Sequence, residues 1–287
     1  MAKRRRRSSR LLGLLVRDRV GLVGGILVVA AIGAAVFGPV LAPYDPTLIH
    51  PGANLAPPGP MFPLGADELG RDILSRALYG ARISMEVSLI VVTLAGTIGV
   101  TLGLLSGYFK GLLDVVLMRL MDTIFAFPTL LLALTVVAVL GTDLRNLILA
   151  ITIVYIPAFA RIARGSTLTV SQQPYVEAAR SVGVPHARIL LRYVLPNILA
   201  PVTVQFTISL AYAILVEASL SYLGLGVQPP AASWGSMLAT GKPFMELSPW
   251  VAIVPGVAIM LTVLGFNLLG DALRDSLDPR LRSRTLQ

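Results

Sequence analysis

Any covalent or metal chemistry in this chain must be built without cysteine and with two histidines, His50 and His186, far apart in sequence. The lack of cysteine removes a disulfide framework, a thiolate nucleophile and thiolate metal sites. His50 falls in a Pro-rich loop and is expected to be solvated. His186 falls in a charged helical stretch and is expected at the surface. A phosphate-binding loop needs Gly-x-x-x-x-Gly-Lys followed by Ser or Thr, so that backbone amides cradle the phosphates and the lysine reaches them. The nearest candidate is Gly241-Lys242, where Pro243 follows and Ser236 stands in place of the first glycine. No nucleotide site is expected here. Two features remain. One is a lone ionisable group in an apolar run, Glu217 in "LAYAILVEASLSYLGLG". The other is an Arg-rich, helix-forming stretch at 177–197, "EAARSVGVPHARILLRYVLPN". A carboxylate in an apolar span is expensive and is a functional candidate by default. For Glu217 a pathway or gate role stands beside packing against a neighbouring subunit or solvation at an interface.

The elements that carry these groups follow from composition. The 287 residues are 55% hydrophobic and 14% charged, against about 25% charged in soluble domains. Six charge-free runs stand out: 20–44, 87–109, 123–142, 146–160, 193–216 and 247–270. About 20 apolar residues, rising 1.5 Å each, cross a hydrocarbon core of roughly 30 Å. Five runs meet that length, and the short fourth is extended by snorkelling of Arg145 and Arg161 at its ends. Pro39, Pro128, Pro157, Pro201 and Pro255 are expected to kink these spans without breaking them. Gly96, Gly99 and Gly103 share one side of the second span and predict close helix contact.

Charge placement orients the spans. A net charge of +9 suits either nucleic acid or anionic lipid. With the N-terminus inside, the inner segments hold 19 Lys and Arg and the outer ones 5. That asymmetry places both termini in the cytoplasm. It also excludes a nucleic-acid reading, since the positive charge is spread over loops. The basic segment 1–19 is read as a lipid-anchored inner end. The run behind it is too long for a signal-peptide core of about 7–15 residues, so 20–44 is a retained first span. The outer loop 45–85 begins as extended Pro- and Gly-rich chain. It ends in "ADELGRDILSRALYGARIS", read as an amphipathic helix lying at the outer interface with an Asp72–Arg76 pair. Inside, Arg119 and Asp122 form an expected i,i+3 pair. Residues 171–197 read as a hairpin of two helices. Gly183 stops the first and Pro185 starts the second at its N1 position. A plain connection would be far shorter, so the hairpin is suited to contact another protein.

The stretch 177–197 resembles the EAA loop of the permease subunits of bacterial ABC importers. Glu177, Ala178 and Ala179 are followed by Gly183, and Leu195-Pro196 close the pattern, with Tyr193 where the family has Ile. "LGADELGRDILSRALYGARIS", "SGYFKGLLDVVLMRLMDTIFAFPTLLLA", "EASLSYLGLGVQPPAASWGSML" and "PGVAIMLTVLGFNLLGDALRDSLDPR" are similar to the C-type permease of the dipeptide, oligopeptide and nickel group; Ala66 stands where that group usually has Thr. The resemblance implies an all-α polytopic membrane protein with six transmembrane helices and the type I ABC importer permease fold, in a bacterial cell membrane. Its permease core, 86–270, would contain the coupling hairpin, with a cytoplasmic tail at 271–287. The implied partners are a homologous B-type permease, two ATP-binding subunits or one fused ATPase, an extracytoplasmic substrate-binding protein and membrane lipid. ATP and magnesium would bind those ATPase subunits, with no cofactor in this chain. The implied ATPase contacts are Glu177, Arg180, Ser181, Gly183, Val184 and His186, with Ala178 and Ala179 small enough to admit the partner closely. Glu177 either pairs with the partner or caps its own loop. The expected substrate is a di- or oligopeptide, with nickel complexes, haem or other small solutes as the alternative. An ion-driven carrier would show several charges at mid-span. An intramembrane enzyme would pair nucleophile and base within the spans, and a simple anchor or sensor would not need the hairpin.

Overall fold

A computed structural model describes residues 19–277. The expected features at 1–18 and 278–287 lie outside the described residues. Nine helices are described: α1 Arg19–Leu41, α2 Ile73–Phe109, α3 Gly111–Phe125, α4 Thr129–Leu140, α5 Leu144–Val170, α6 Pro174–Ser181, α7 His186–Tyr222, α8 Trp234–Gly241 and α9 Trp250–Leu277. No β-strand occurs among the described residues. Helices α1, α2, α5, α7 and α9 are each long and apolar enough to cross a membrane. Helices α3 and α4 pass that test only together, bent by 89°, and make the sixth span if the pair counts as one.

That bend corrects the expectation of kinks alone. Pro39, Pro157, Pro201 and Pro255 do lie inside continuous helices. Pro128 does not: it stands before α4 with φ −56° and ψ 129°. The proline ring also pushes the residue before it out of helical geometry. Helix α4 alone, 12 residues long, covers about 18 Å.

Two further expectations change. Helix α2 runs 37 residues without interruption, about 55 Å, so no separate interfacial helix precedes the second span. Asp72 caps that helix, accepting from the Ser75 amide at 2.8 Å and from its hydroxyl at 2.6 Å. Arg76 turns away from it, to Asp67 at 3.3 Å and the Pro46 carbonyl at 3.0 Å. At an N-cap a carboxylate satisfies orphan amides, which outweighs a side-chain pair one turn on. The fourth span is longer than its charge-free run because Arg161 and Arg164 do not end it. Arg161 meets Asp122 of α3 at 2.7 Å, displacing the expected Arg119–Asp122 pair. Arg164 grips Asp114 of α3 with two nitrogens, at 2.5 and 2.6 Å.

Helices α2 and α5 pack backbone against backbone. A Cβ at Gly99 would lie 2.6 Å from the Ile156 carbonyl, and one at Gly107 2.8 Å from that of Arg164; Gly103 abuts Ala160 between them. The glycine stripe therefore does what its spacing predicts. Phe159, Ile151 and Leu147 fill the core beside it. The bundle has two ends. Loop 42–72 and α8 form the loop end; α6 and the start of α7 form the hairpin end.

Candidate functional site

Helix α6 begins with Pro174 in its first turn, where a missing amide costs nothing. It spans eight residues. Val184 donates its amide to Ala179 at 3.0 Å and Gly183 to Arg180 at 3.0 Å. This pair of bonds is the Schellman closure. It requires Gly183 in the left-handed region, and its φ is +74°. A Cβ there would meet nothing within 4 Å, so backbone conformation, not space, demands the glycine. Pro185 falls one position earlier than expected, as the cap of α7, and His186 opens the helix.

The helical period divides the hairpin into two faces. Val176, Ala179, Ile189 and Val194 are buried against Leu104 and Tyr108 of α2 and Ala163 of α5. Glu177, Ala178, Arg180, Ser181, Gly183 and His186 are exposed, and Val184 is half-buried. Ala179 is therefore a correction: at 6% exposure it supports the hairpin from beneath and offers no approach to a partner. Val182 was missed, and at 78% exposure it forms the apolar tip beside the glycine. An apolar residue directly before the helix-stopping glycine was the available signal. The Glu177 carboxylate makes no hydrogen bond or ion pair among the described residues, so it does not cap its own loop. It sits in the first turn of α6, where the helix dipole favours negative charge.

Sequence reading also missed Tyr108, the residue that pins the hairpin to α2. Its hydroxyl is 2.8 Å from His186 Nδ1. The Arg180 guanidinium lies 4.6 Å from its ring centre, a cation–π contact. Phe109 meets His186 edge-on. His186 is thus exposed as expected, yet tied. Behind the pin, helix α7 contains a π-helical turn at Leu190–Val194. Pro196 follows it, and such a turn accommodates the hydrogen bond a proline cannot make. Tyr193 is half-buried and packs on the cluster beneath the hairpin, filling the place expected of an Ile.

At the loop end Glu217 is 0% exposed, which corrects the reading of interfacial solvation. Its Oε2 accepts from Ser84 at 2.9 Å and its Oε1 from Ser221 at 2.8 Å. Ser84 also receives the Trp234 amide at 3.4 Å, and Trp234 Nε1 donates to the Ala77 carbonyl at 3.0 Å. The carboxylate therefore ties α7 to α2 next to the point where α8 enters. Among the described residues it has no cationic partner. Loop 42–72 is compact where extended chain was expected. His50, expected to be solvated, packs between Tyr44 and Phe62, with ring centres 4.9 and 5.1 Å away. Asp67 binds the Arg71 side chain at 2.6 Å, and burial beside Asp67 pushes the Glu68 carboxyl above its ordinary range. No group of three or more metal-binding side chains occurs among the described residues.

Comparison with known proteins gives a consistent picture. A family model described as binding-protein-dependent transport system inner membrane component matches residues 99–283. A second, the N-terminal transmembrane domain of oligopeptide transport permease C, matches residues 13–58. The chain is 45% identical to a glutathione transport system permease protein of Pectobacterium atrosepticum, over 93% of this chain and 89% of the relative. It is 40% identical to a dipeptide transport system permease protein of Alkalihalophilus pseudofirmus, over 94% and 88%. It is 44% identical to a di/tripeptide transport system permease protein of Pseudomonas aeruginosa, over 92% and 89%.

Proposed function

The chain belongs to the inner-membrane components of binding-protein-dependent transport systems, and from that premise we propose that it is the permease subunit of an ATP-driven peptide importer, coupled to its ATPases through the 174–186 hairpin. It is a multi-pass membrane protein and the non-catalytic, permease part of its transporter. Family membership implies a second permease, ATPases and a binding protein in general. In this reading the second permease is a homologous B-type chain. The ATPases are two subunits or one fused chain that hold ATP and magnesium, and the binding protein delivers substrate from outside. Peptides are the substrate favoured by the relatives' names; nickel complexes and haem find no support there. The excess of Lys and Arg in the segments assigned to the inside supports a cytoplasmic hairpin end.

One observation carries the coupling role. The outer face of α6, with Glu177, Ala178, Ser181, Val182 and Gly183, is bare. Its inner face is buried, and α7 continues from the same hairpin for 37 residues to the loop end. A push on α6 is therefore delivered to a stiff rod whose far end holds Glu217. In this reading Glu217 acts as a buried tie within the gate, away from the surface of the pathway. By linkage, substrate state at the loop end acts back on ATPase binding at the hairpin.

Reconstitution in liposomes tests the reading. Uptake should require the ATPase subunits and the binding protein together. Glu177→Lys and Gly183→Arg should leave a folded, assembled complex that hydrolyses ATP with little uptake. ATP-independent uptake by this chain alone, or wild-type coupling in both folded variants, would sink the proposal.

A further inference from the structure

The hairpin and the Glu217 tie leave one pair of charges unused. Arg82 and Glu86 stand one turn apart on α2, both exposed. Among the described residues neither makes an ion pair or a hydrogen bond. Arg before Glu is the less favourable order for an i,i+4 pair, which explains why they do not pair with each other. Both line a cavity of about 500 Å³ between α1, α2, α7 and α9. The rest of its wall is almost entirely apolar, with Ile32, Val36, Leu89, Leu210, Ile214 and Phe266. Two opposite charges left unpaired beside an apolar cavity, at the loop end of the second span, are suited to hold a ligand that carries both charges.

Their spacing selects the ligand. Four residues of helix advance about 6 Å, and two residues of extended peptide span about 7 Å at most. A cationic and an anionic side chain rooted that far apart are within reach of the free carboxylate and free ammonium of a short peptide, whose side chains then face the apolar wall. The phosphate of an anionic lipid would satisfy Arg82 and be repelled by Glu86. An apolar helix of another chain would bury both charges unpaired. We propose that Arg82 and Glu86 form a substrate-contact site for short zwitterionic peptides, Arg82 taking the carboxylate and Glu86 the ammonium. This site rests on the reading of the chain as a peptide-importer permease.

The test uses the complete transporter in vesicles, driven by saturating binding protein loaded with alanyl-alanine. The binding protein is unchanged throughout, so its own selectivity is constant. Arg82→Ala and Glu86→Ala should each assemble normally and keep receptor-stimulated ATP hydrolysis within about twofold of wild type, while import falls about tenfold, roughly 1.4 kcal/mol. A second measurement keeps both charges in place. The chain lacks cysteine, so Leu89→Cys offers a single reporter in the cavity. Its labelling by a maleimide should slow at least threefold in the presence of alanyl-alanine, and this protection should vanish when Arg82→Ala is added. Wild-type import by both alanine variants overturns the site. So does a loss of import that tracks loss of the second permease from the complex, which would make the pair a subunit contact. A defect seen in phosphatidylglycerol vesicles and absent in phosphatidylcholine vesicles assigns Arg82 to lipid headgroups and also overturns it. A wild-type complex that imports no dipeptide overturns the peptide reading itself, and this site with it.

Discussion

Replacing Tyr108 should loosen the 174–186 hairpin without dismantling the bundle, and the structure sets the size of the effect. Two contacts of Tyr108 hold the exposed part of the hairpin to α2, beside the Phe109–His186 ring contact: the Tyr108 hydroxyl with His186 Nδ1 at 2.8 Å, and the Arg180 guanidinium over the Tyr108 ring at 4.6 Å. A neutral hydrogen bond contributes about 0.5–1.5 kcal/mol net, and an exposed cation–π contact about 0.5–1 kcal/mol. Tyr108→Phe removes the first and keeps the ring. Because His186 is exposed and regains water, the low end of that range applies. Tyr108→Leu removes both, for about 1–1.5 kcal/mol, or roughly a 5- to 13-fold shift toward the undocked hairpin at about 1.36 kcal/mol per decade. The apolar cluster of Val176, Ala179 and Ile189 stays in place, so the helices should persist. Hydrogen exchange across residues 174–186 reads the docking directly. ATP hydrolysed per peptide imported reads its consequence, and the ratio should rise in the order wild type, Phe, Leu. A folded, assembled Tyr108→Leu complex with unchanged exchange and an unchanged ATP-to-peptide ratio would refute the idea that this pin transmits force.

Other outcomes follow from contacts at both ends. Gly103→Val should block the approach of α2 to α5, because a side chain there meets the Ala160 backbone; expression of folded protein should collapse, while Gly25→Val, with nothing within 4 Å, should be tolerated. At the loop end, burial raises the Glu68 carboxyl above its ordinary value of about 4.5. A raised acid favours the folded state only while protonated, so its cost is absent below about pH 4.5 and grows as pH rises through the raised value. Glu68→Gln should therefore slow proteolysis of loop 42–72 at neutral pH, with the gain shrinking toward pH 4. Equal cleavage rates at both pH values would remove burial of this charge as the cause.

Much of this architecture is legible as a one-dimensional pattern. Spans in lipid must be apolar and about 20 residues long, so charge-free runs locate them. Lys and Arg collect on one side, and Gly183 beside Pro185 marks a turn between helices. The small-residue stripe on the second span reports its contact because only glycine admits a backbone so closely. These features depend on neighbours in sequence or on the solvent, and both are written in the chain.

Other features depend on what lies opposite, and only the tertiary structure decides them. Arg161 and Arg164 look like the end of the fourth span until Asp122 and Asp114 arrive from α3 to neutralise them. Ala179 looks like a partner surface until α2 and α5 cover it. Glu217 looks like an interfacial or pathway group until Ser84, 133 residues away, bonds to it. Arg82 and Glu86 show no role in the sequence until α2 proves continuous and a cavity opens beside them. The reason is common to all four. The cost of a charge or a polar group is set by its surroundings, and those surroundings come from helices remote in sequence. Composition determined that this chain is a membrane bundle with a helical hairpin between two of its spans; packing determined which of its few charges are spent on holding the bundle together and which are left free to act.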